Sequence, residues 1–143
     1  MPAAKLSHVA IRTRDLDATI AFYSAYAELG VVHERVDDGI RVAWLADPAT
    51  EADTDTKASI LIVALELPFE EQYEPAPTDH LGFELPSREA VDRVATLARE
   101  AGILKYGPAD AGPIVGYIVL VRDPSGNTCE FSFGQTAPQT GIG

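Results

Sequence analysis

The chain has 143 residues, 46% of them hydrophobic, and a formal net charge of −11 with only 11 Lys and Arg. A chain of this length buries one sizeable core, so a single domain over residues 1–143 is expected. The acidic balance argues against nucleic acid and anionic membrane surfaces as partners, and no apolar run approaches the roughly 20 residues that span a bilayer.

The first part of the chain has the pattern of a strand, a helix and three strands. Alternation over residues 6–12 predicts a strand, and Asp15 is the expected N-cap of a helix that ends at Gly30 in a left-handed cap. The helical apolar positions are Leu16, Ile20, Tyr23 and Ala27. Three strands are predicted at 31–35, 40–46 and 58–65, with a tight turn at Asp37-Asp38-Gly39 and an exposed loop over 47–57.

The second part repeats this order after an acidic, proline-containing connector at residues 67–77. Residues 78–85 predict a strand, Ser87 an N-cap, and Gly102 the end of the helix. Its predicted apolar stripe consists of Ala90, Val91, Val94, Leu97 and Ala101. Three further strands are predicted at 103–106, 114–122 and 127–134, followed by a frayed tail at 135–143.

The chain therefore contains an internal repeat with a period near 72 residues, the separation of His8 from His80 (80 − 8). Module one covers about residues 5–66 and module two about 78–134. Each module has the order strand-helix-strand-strand-strand, which predicts an α+β fold. Either module alone would leave one sheet face exposed, so two modules or two chains are expected to pair.

Three short motifs carry the functional signal. They are His8-Val9-Ala10-Ile11, its echo His80-Leu81-Gly82-Phe83, and the turn Asp123-Pro124-Ser125-Gly126 that precedes Glu130. Residues two apart in a strand share a face, and on that basis both histidines and Glu130 lie opposite their apolar neighbours. Two imidazoles and one carboxylate at such positions form a candidate site for a divalent metal.

These motifs, in this order and spacing over residues 5–134, resemble the vicinal oxygen chelate superfamily of glyoxalase I, extradiol dioxygenases, fosfomycin thiol transferases and bleomycin-resistance proteins. The resemblance implies two βαβββ modules forming a U-shaped mixed sheet with helices on the outer face. It implies a divalent metal (Fe, Mn, Co, Ni or Zn) held by His8, His80 and Glu130, with Glu130 also able to shuttle a proton. It further implies a small-molecule substrate with adjacent oxygens, and a homodimer.

The sequence departs from three of the known subfamilies. By alignment Leu61 stands where glyoxalase I has a glutamate ligand, Ala10 replaces the threonine of fosfomycin thiol transferases, and Leu120 replaces the tyrosine of extradiol dioxygenases. Two functions therefore stay open. One is a metal-dependent lyase, isomerase or oxygenase; the other is a metal-free, drug-sequestering binding protein.

Four further residues are candidates for substrate binding. Arg12 and Glu84 lie four positions beyond the two histidines. Arg12 either binds an anionic group of the substrate, as in glyoxalase I, or pairs with Glu84 across the cleft. Trp44 and Tyr117 could line a pocket, although aromatic residues in strands usually pack in a core or an interface.

The remaining reactive residues have structural interpretations. His33 has no motif around it and is expected at the surface. Cys129 is expected as a buried, inert thiol, because strand alternation turns it away from the face of Glu130. Since a single cysteine forms no internal disulfide, the expected location is the cytoplasm. Asp123 to Gly126 are expected to set a turn.

Overall fold

The computed structural model describes residues 7–48, 60–67 and 79–136. The chain divides into two compact units, residues 1–73 and 74–143. The first unit contains β1 (Val9–Thr13), α1 (Leu16–Ala27), β2 (Gly30–Asp37), β3 (Ile40–Ala46) and β4 (Ile60–Glu66). The second contains β5 (His80–Glu84), α2 (Arg88–Glu100), β6 (Leu104–Asp110), β7 (Tyr117–Arg122) and β8 (Thr128–Phe133). The predicted loop, connector and tail lie mostly outside the described residues.

Each unit has one four-stranded mixed sheet, and the two sheets have the same topology. The strand order is β1-β4-β3-β2 in the first and β5-β8-β7-β6 in the second. The first strand of each unit pairs in parallel with the last, and the remaining pairs are antiparallel. This confirms the α+β class, and it places the strand that follows or contains each motif histidine beside the closing strand of its unit.

Helix α1 begins as predicted and ends differently. The Asp15 carboxylate accepts from the Ala18 amide at 3.0 Å, and Glu66 accepts from the Leu16 amide at 2.7 Å. The left-handed residue at the C-terminus is Glu28 (φ 55°), not Gly30, which begins β2. The reason is a Schellman-type end, in which the Leu29 amide donates to the Tyr23 carbonyl at 3.1 Å and the Leu29 side chain is buried.

Helix α2 begins at the predicted cap, where Ser87 Oγ accepts from the Ala90 amide at 3.1 Å. Gly102 (φ 72°) follows the last turn as predicted. The buried stripe is rotated from the predicted one, because Leu97 is 46% exposed and Ala101 is also exposed. The buried positions are Ala90, Val91, Val94, Ala95 and Ala98, which follow the spacing of one helix face.

Both units contain a β-bulge at the same place. In β2, Val31 pairs with Leu45 and His33 with Trp44, so Val32 is an extra residue between them. In β6, Leu104 pairs with Val121 and Tyr106 with Leu120, so Lys105 is the extra residue. These bulges lie on the strand that follows each helix.

The two hairpin features predicted from short motifs are present. The β2–β3 turn has positive φ at both Asp38 (51°) and Gly39 (83°), as a two-residue type I′ turn requires. In the turn before β8, Asp123 is buried and its carboxylate accepts from the amides of Ser125 at 2.9 Å and Asn127 at 2.8 Å. Asp123 is therefore a structural residue.

Each sheet is covered by its helix on one face. On the helix side of the second sheet, Cys129 and Phe131 are fully buried, as expected, whereas Phe133 is 37% exposed because it lies at the end of β8. No helix among the described residues is long and apolar enough to cross a membrane.

Candidate functional site

The second unit brings His80 and Glu130 onto one face of its sheet. His80 pairs with Thr128 and Gly82 with Glu130 in the parallel β5–β8 ladder. Residues paired across a ladder share a face, and residues two apart on a strand do as well, so His80 and Glu130 lie diagonally on neighbouring strands. This is the face opposite α2, because Cys129 and Phe131, which alternate with Thr128 and Glu130, face the helix.

Glu130 is a largely buried carboxylate. It is 9% exposed and pairs with Leu120 on its other side. Its Oε2 lies 3.8 Å from the position of a Cβ built on Gly82, so the side chain extends over β5. The Gln135 amide donates to the same oxygen at 3.4 Å, a long hydrogen bond. His80 itself is exposed, at the start of β5.

The structure separates two other predicted site residues of this unit. Glu84 is exposed and pairs with Ser132, on the face that carries Glu130. Tyr117 lies three residues from Leu120, the partner of Glu130, and therefore on the opposite face.

The contacts of Tyr117 confirm that it faces α2. Its hydroxyl donates to Asp92 at 2.5 Å, and the Arg88 guanidinium lies 4.6 Å from its ring centre. The pKa of Tyr117 is raised, chiefly by the hydrogen bond to Asp92. The prediction that Tyr117 lines the site is therefore corrected, because its side chain stabilises the helix–sheet packing.

In the first unit, His8 immediately precedes β1 and is exposed, and its Nδ1 lies 2.7 Å from Ser7 Oγ. Ala10 and Arg12 are exposed, whereas Ile11 and Thr13 are buried, which is the predicted alternation. His8, Ala10 and Arg12 therefore lie on the sheet face away from α1.

Trp44 lies on the same face as Ala10, because Val63 pairs with both of them. The ring centres of His33 and Trp44 are 4.6 Å apart, and the Arg35 guanidinium carbon lies 5.1 Å from the ring centre of Trp44. The indole Nε1 is buried and has no hydrogen-bond acceptor among the described residues. His33 is exposed as expected, but it packs against a predicted site residue.

The strand registers correct one position of the alignment. Ala10 pairs with Val63, as Gly82 pairs with Glu130, so the first-unit equivalent of Glu130 is Val63 and not Leu61. Valine, like leucine, has no donor atom for a metal. The expectation that the first unit supplies no carboxylate ligand from β4 is therefore unchanged.

The donors fit a divalent metal by their chemistry, since imidazole and carboxylate together suit Fe, Mn, Co, Ni or Zn. His80 and Glu130 are two such donors on one sheet face, and His8 has the equivalent place in the first unit. Among the residues that the structure describes, no three His, Cys, Asp or Glu side chains lie close enough together to hold an ion.

Two residues of the second unit were not predicted as site residues. Lys105, the extra residue of the β6 bulge, donates from Nζ to Thr128 Oγ1 at 2.8 Å. Tyr106 pairs with Leu120 and is 53% exposed, so it shares the face of Glu130. A bulge leaves no mark in the apolar alternation, and the sequence therefore gave no signal for either side chain.

The chain belongs to the Glyoxalase/Bleomycin resistance protein/Dioxygenase superfamily, whose family model matches residues 5–131. An uncharacterized protein of Pseudomonas aeruginosa is 39% identical over 132 residues, covering 91% of this chain and 89% of that protein. The family-model match includes His8, His80 and Glu130.

Solved structures at lower identity share the fold. A trypanothione-dependent glyoxalase I of Leishmania major is 18% identical, with a TM-score of 0.69 over 92% of this chain and 88% of that one. The fosfomycin resistance protein FosX of Listeria monocytogenes, solved with Mn(II), is 19% identical, with a TM-score of 0.68 over 94% and 95%. A glyoxylase/bleomycin resistance protein/dioxygenase domain from Frankia is 19% identical, with a TM-score of 0.71 over 96% of both chains.

Proposed function

We propose that this chain is a divalent-metal-dependent enzyme, a lyase, isomerase or oxygenase, that acts on a small substrate with adjacent oxygens. His8, His80 and Glu130 are the proposed metal ligands. The observation that carries the proposal is the diagonal placement of His80 and Glu130 on neighbouring parallel strands of one sheet face. The fosfomycin resistance protein of Listeria monocytogenes, which shares the fold and was solved with Mn(II), supports a metal.

A divalent ion held by His8, His80 and Glu130 would supply Lewis-acid chemistry, since it would polarise a carbonyl or hydroxyl oxygen of the substrate and stabilise negative charge there. Glu130 would take and return a proton, since its carboxylate is shielded from bulk solvent and, among the described residues, accepts only the long hydrogen bond from Gln135.

Trp44 and Arg12 are proposed to bind the substrate. A buried N–H without an acceptor is costly, and a substrate oxygen that accepted from Trp44 Nε1 would recover that free energy. Arg12 is exposed on the same face of the first sheet and would hold an anionic group. Glu84 is proposed to line the corresponding part of the second sheet.

A metal-free, ligand-sequestering protein of the bleomycin-resistance type is the second candidate. The observation that favours it is Val63, which gives the first unit an apolar side chain where the second has Glu130. The ring pair His33–Trp44 would then serve as a stacking surface for an aromatic ligand.

Metal content separates the two candidates. The protein is purified without chelator or nickel affinity, analysed for its elements, and reconstituted with Fe(II), Mn(II), Co(II), Ni(II) or Zn(II). Near-stoichiometric metal in the wild type and in His33→Ala, but not in His80→Ala, supports the enzyme. His33→Ala is the matched control, because it also removes an exposed imidazole. A wild type that binds none of the five metals rejects the enzyme and leaves the binding protein.

We also propose a homodimer, since the superfamily commonly forms dimers. Light scattering coupled to size-exclusion chromatography tests this, and a mass of one chain at all concentrations rejects it.

A further inference from the structure

Lys105 is a cation in an acidic protein. Its ammonium contacts the neutral hydroxyl of Thr128, and it forms no ion pair within the described part of the chain. Lysine has three N–H donors, and the bond to Thr128 uses one of them. The chain has 22 Asp and Glu residues, yet none of those in the described part forms an ion pair with Lys105.

The ammonium lies next to the proposed metal ligands. Thr128 pairs directly with His80 and is two residues from Glu130 on β8, so all three share one face. The Lys105 side chain starts on β6 and crosses β7 to reach Thr128. Arg122 also pairs with Thr128 and is exposed, which adds a second positive charge to this end of the sheet.

The bulge accounts for the direction of Lys105. Because Leu104 and Tyr106 pair with consecutive residues of β7, Lys105 is left over between them and turns toward the face of Glu130. The first unit has the same bulge in β2, where the extra residue is Val32. The bulge is therefore common to both units, but its extra residue is positively charged only in the second unit.

We infer that Lys105, assisted by Arg122, binds an anionic group of the ligand, a carboxylate, phosphate or phosphonate, beside His80 and Glu130. This inference deepens the proposed function and rests on it for the identity of the site. It narrows the substrate class to small anions with adjacent oxygens. Lys105 is a specificity residue here, and its hydrogen bond to Thr128 fixes its position.

The test is a titration of the metal-free protein with inorganic phosphate at low ionic strength. Calorimetry measures the affinity, and backbone amide NMR locates the binding site. We expect saturable binding, with shifts centred on Lys105, Tyr106 and Thr128. Lys105→Met should weaken binding at least about tenfold, the loss expected for one charge-assisted hydrogen bond. Lys105→Arg should keep the affinity within about threefold. Arg93→Met, which removes one exposed charge from α2, should leave it unchanged.

Two outcomes overturn the inference. One is phosphate binding by Lys105→Met as tight as that of the wild type, and the other is no saturable binding by the wild type. A separate Mn(II) titration distinguishes this failure from failure of the proposed function. Mn(II) bound equally by the wild type and Lys105→Met, without phosphate binding, rejects only the anion site. Phosphate binding that depends on Lys105, without any Mn(II) binding, rejects only the metal-dependent enzyme.

Discussion

Glu130 and Gly82 face each other across the parallel β5–β8 pair, with Glu130 Oε2 3.8 Å from where a Cβ of Gly82 would stand. That distance is an ordinary van der Waals contact, so a methyl group at position 82 fits beside the carboxylate. The absence of a side chain at Gly82 therefore leaves the Glu130 carboxylate free to extend toward β5 and His80.

Substitution at Gly82 should separate metal binding from stability. Gly82→Ala should bind Mn(II) within about threefold of the wild type, whereas Gly82→Val should displace the carboxylate and weaken binding at least about tenfold. Valine favours strands, so the melting temperature of Gly82→Val should not fall. Calorimetry with Mn(II) and thermal unfolding check both expectations, and equal affinity in the two variants would contradict the proposed role of Glu130.

Gly116 and Gly126 have almost the same φ (86° and 88°) but different surroundings. A Cβ on Gly116 would clash with the Phe133 carbonyl oxygen, whereas one on Gly126 meets nothing within 4 Å. Gly126→Ala should cost about 1–2 kcal/mol of unfolding free energy, the backbone penalty alone. Gly116→Ala should cost about 1–3 kcal/mol more, from overpacking. Urea unfolding of both variants measures the difference, and equal losses would show that the clash is relieved.

Glu28 is a non-glycine residue in the left-handed cap of α1 (φ 55°, ψ 30°). Glu28→Gly should raise the unfolding free energy by roughly 0.5–1 kcal/mol, because glycine adopts this conformation without a steric cost. Ala25→Gly, three residues earlier and inside the helix, should lower it by about 1 kcal/mol. Opposite signs in thermal unfolding are the expected result, and a loss in both variants would contradict the cap assignment.

The carboxylate of Asp110 should make the stability of the protein depend on pH. The amide of Gly112 donates to its carboxylate at 2.9 Å and Arg88 pairs with it at 2.7 Å, and these contacts lower the pKa of Asp110 below its ordinary value of 3.8. A carboxylate with a lowered pKa in the folded state contributes stability above its unfolded pKa, and this is lost as the pH falls through the folded pKa.

Asp110→Asn should therefore be less stable than the wild type at neutral pH, with a difference that shrinks below pH 3.8. Urea unfolding across the acid range measures the difference. Arg88→Met keeps the Gly112 bond and should retain part of the pH dependence. A difference between wild type and Asp110→Asn that does not change with pH would contradict the assignment.

Local features of this fold could be predicted from the sequence because they depend on residues close in the chain. The caps at Asp15 and Ser87 and the Asp38-Gly39 turn depend on side chains within three positions, and all three are present. The similar motifs that begin at His8 and His80 predicted the internal repeat, because two copies of a duplicated module keep the same order of residues.

Features that depend on register between strands could not be predicted in the same way. Alternation along β7 gives two faces but does not say which one α2 covers, so the sequence could not place Tyr117 against that helix. The apolar residues of β4 likewise do not show whether Leu61 or Val63 occupies the position in the first unit that Glu130 occupies in the second. The pairing of β4 with β1 is needed to decide this. The bulge at Lys105 is a mismatch between two strands, and neither strand shows it alone.

The bulges in β2 and β6 have a consequence for how such a protein acquires a new specificity. Val32 and Lys105 are each left over between paired neighbours, so exchanging either side chain leaves the ladder intact. A substitution at either position should therefore have little effect on folding, and at Lys105 it should also change which anion is bound. A library randomised at these two positions should yield mostly folded variants, and the changes in ligand preference should follow position 105.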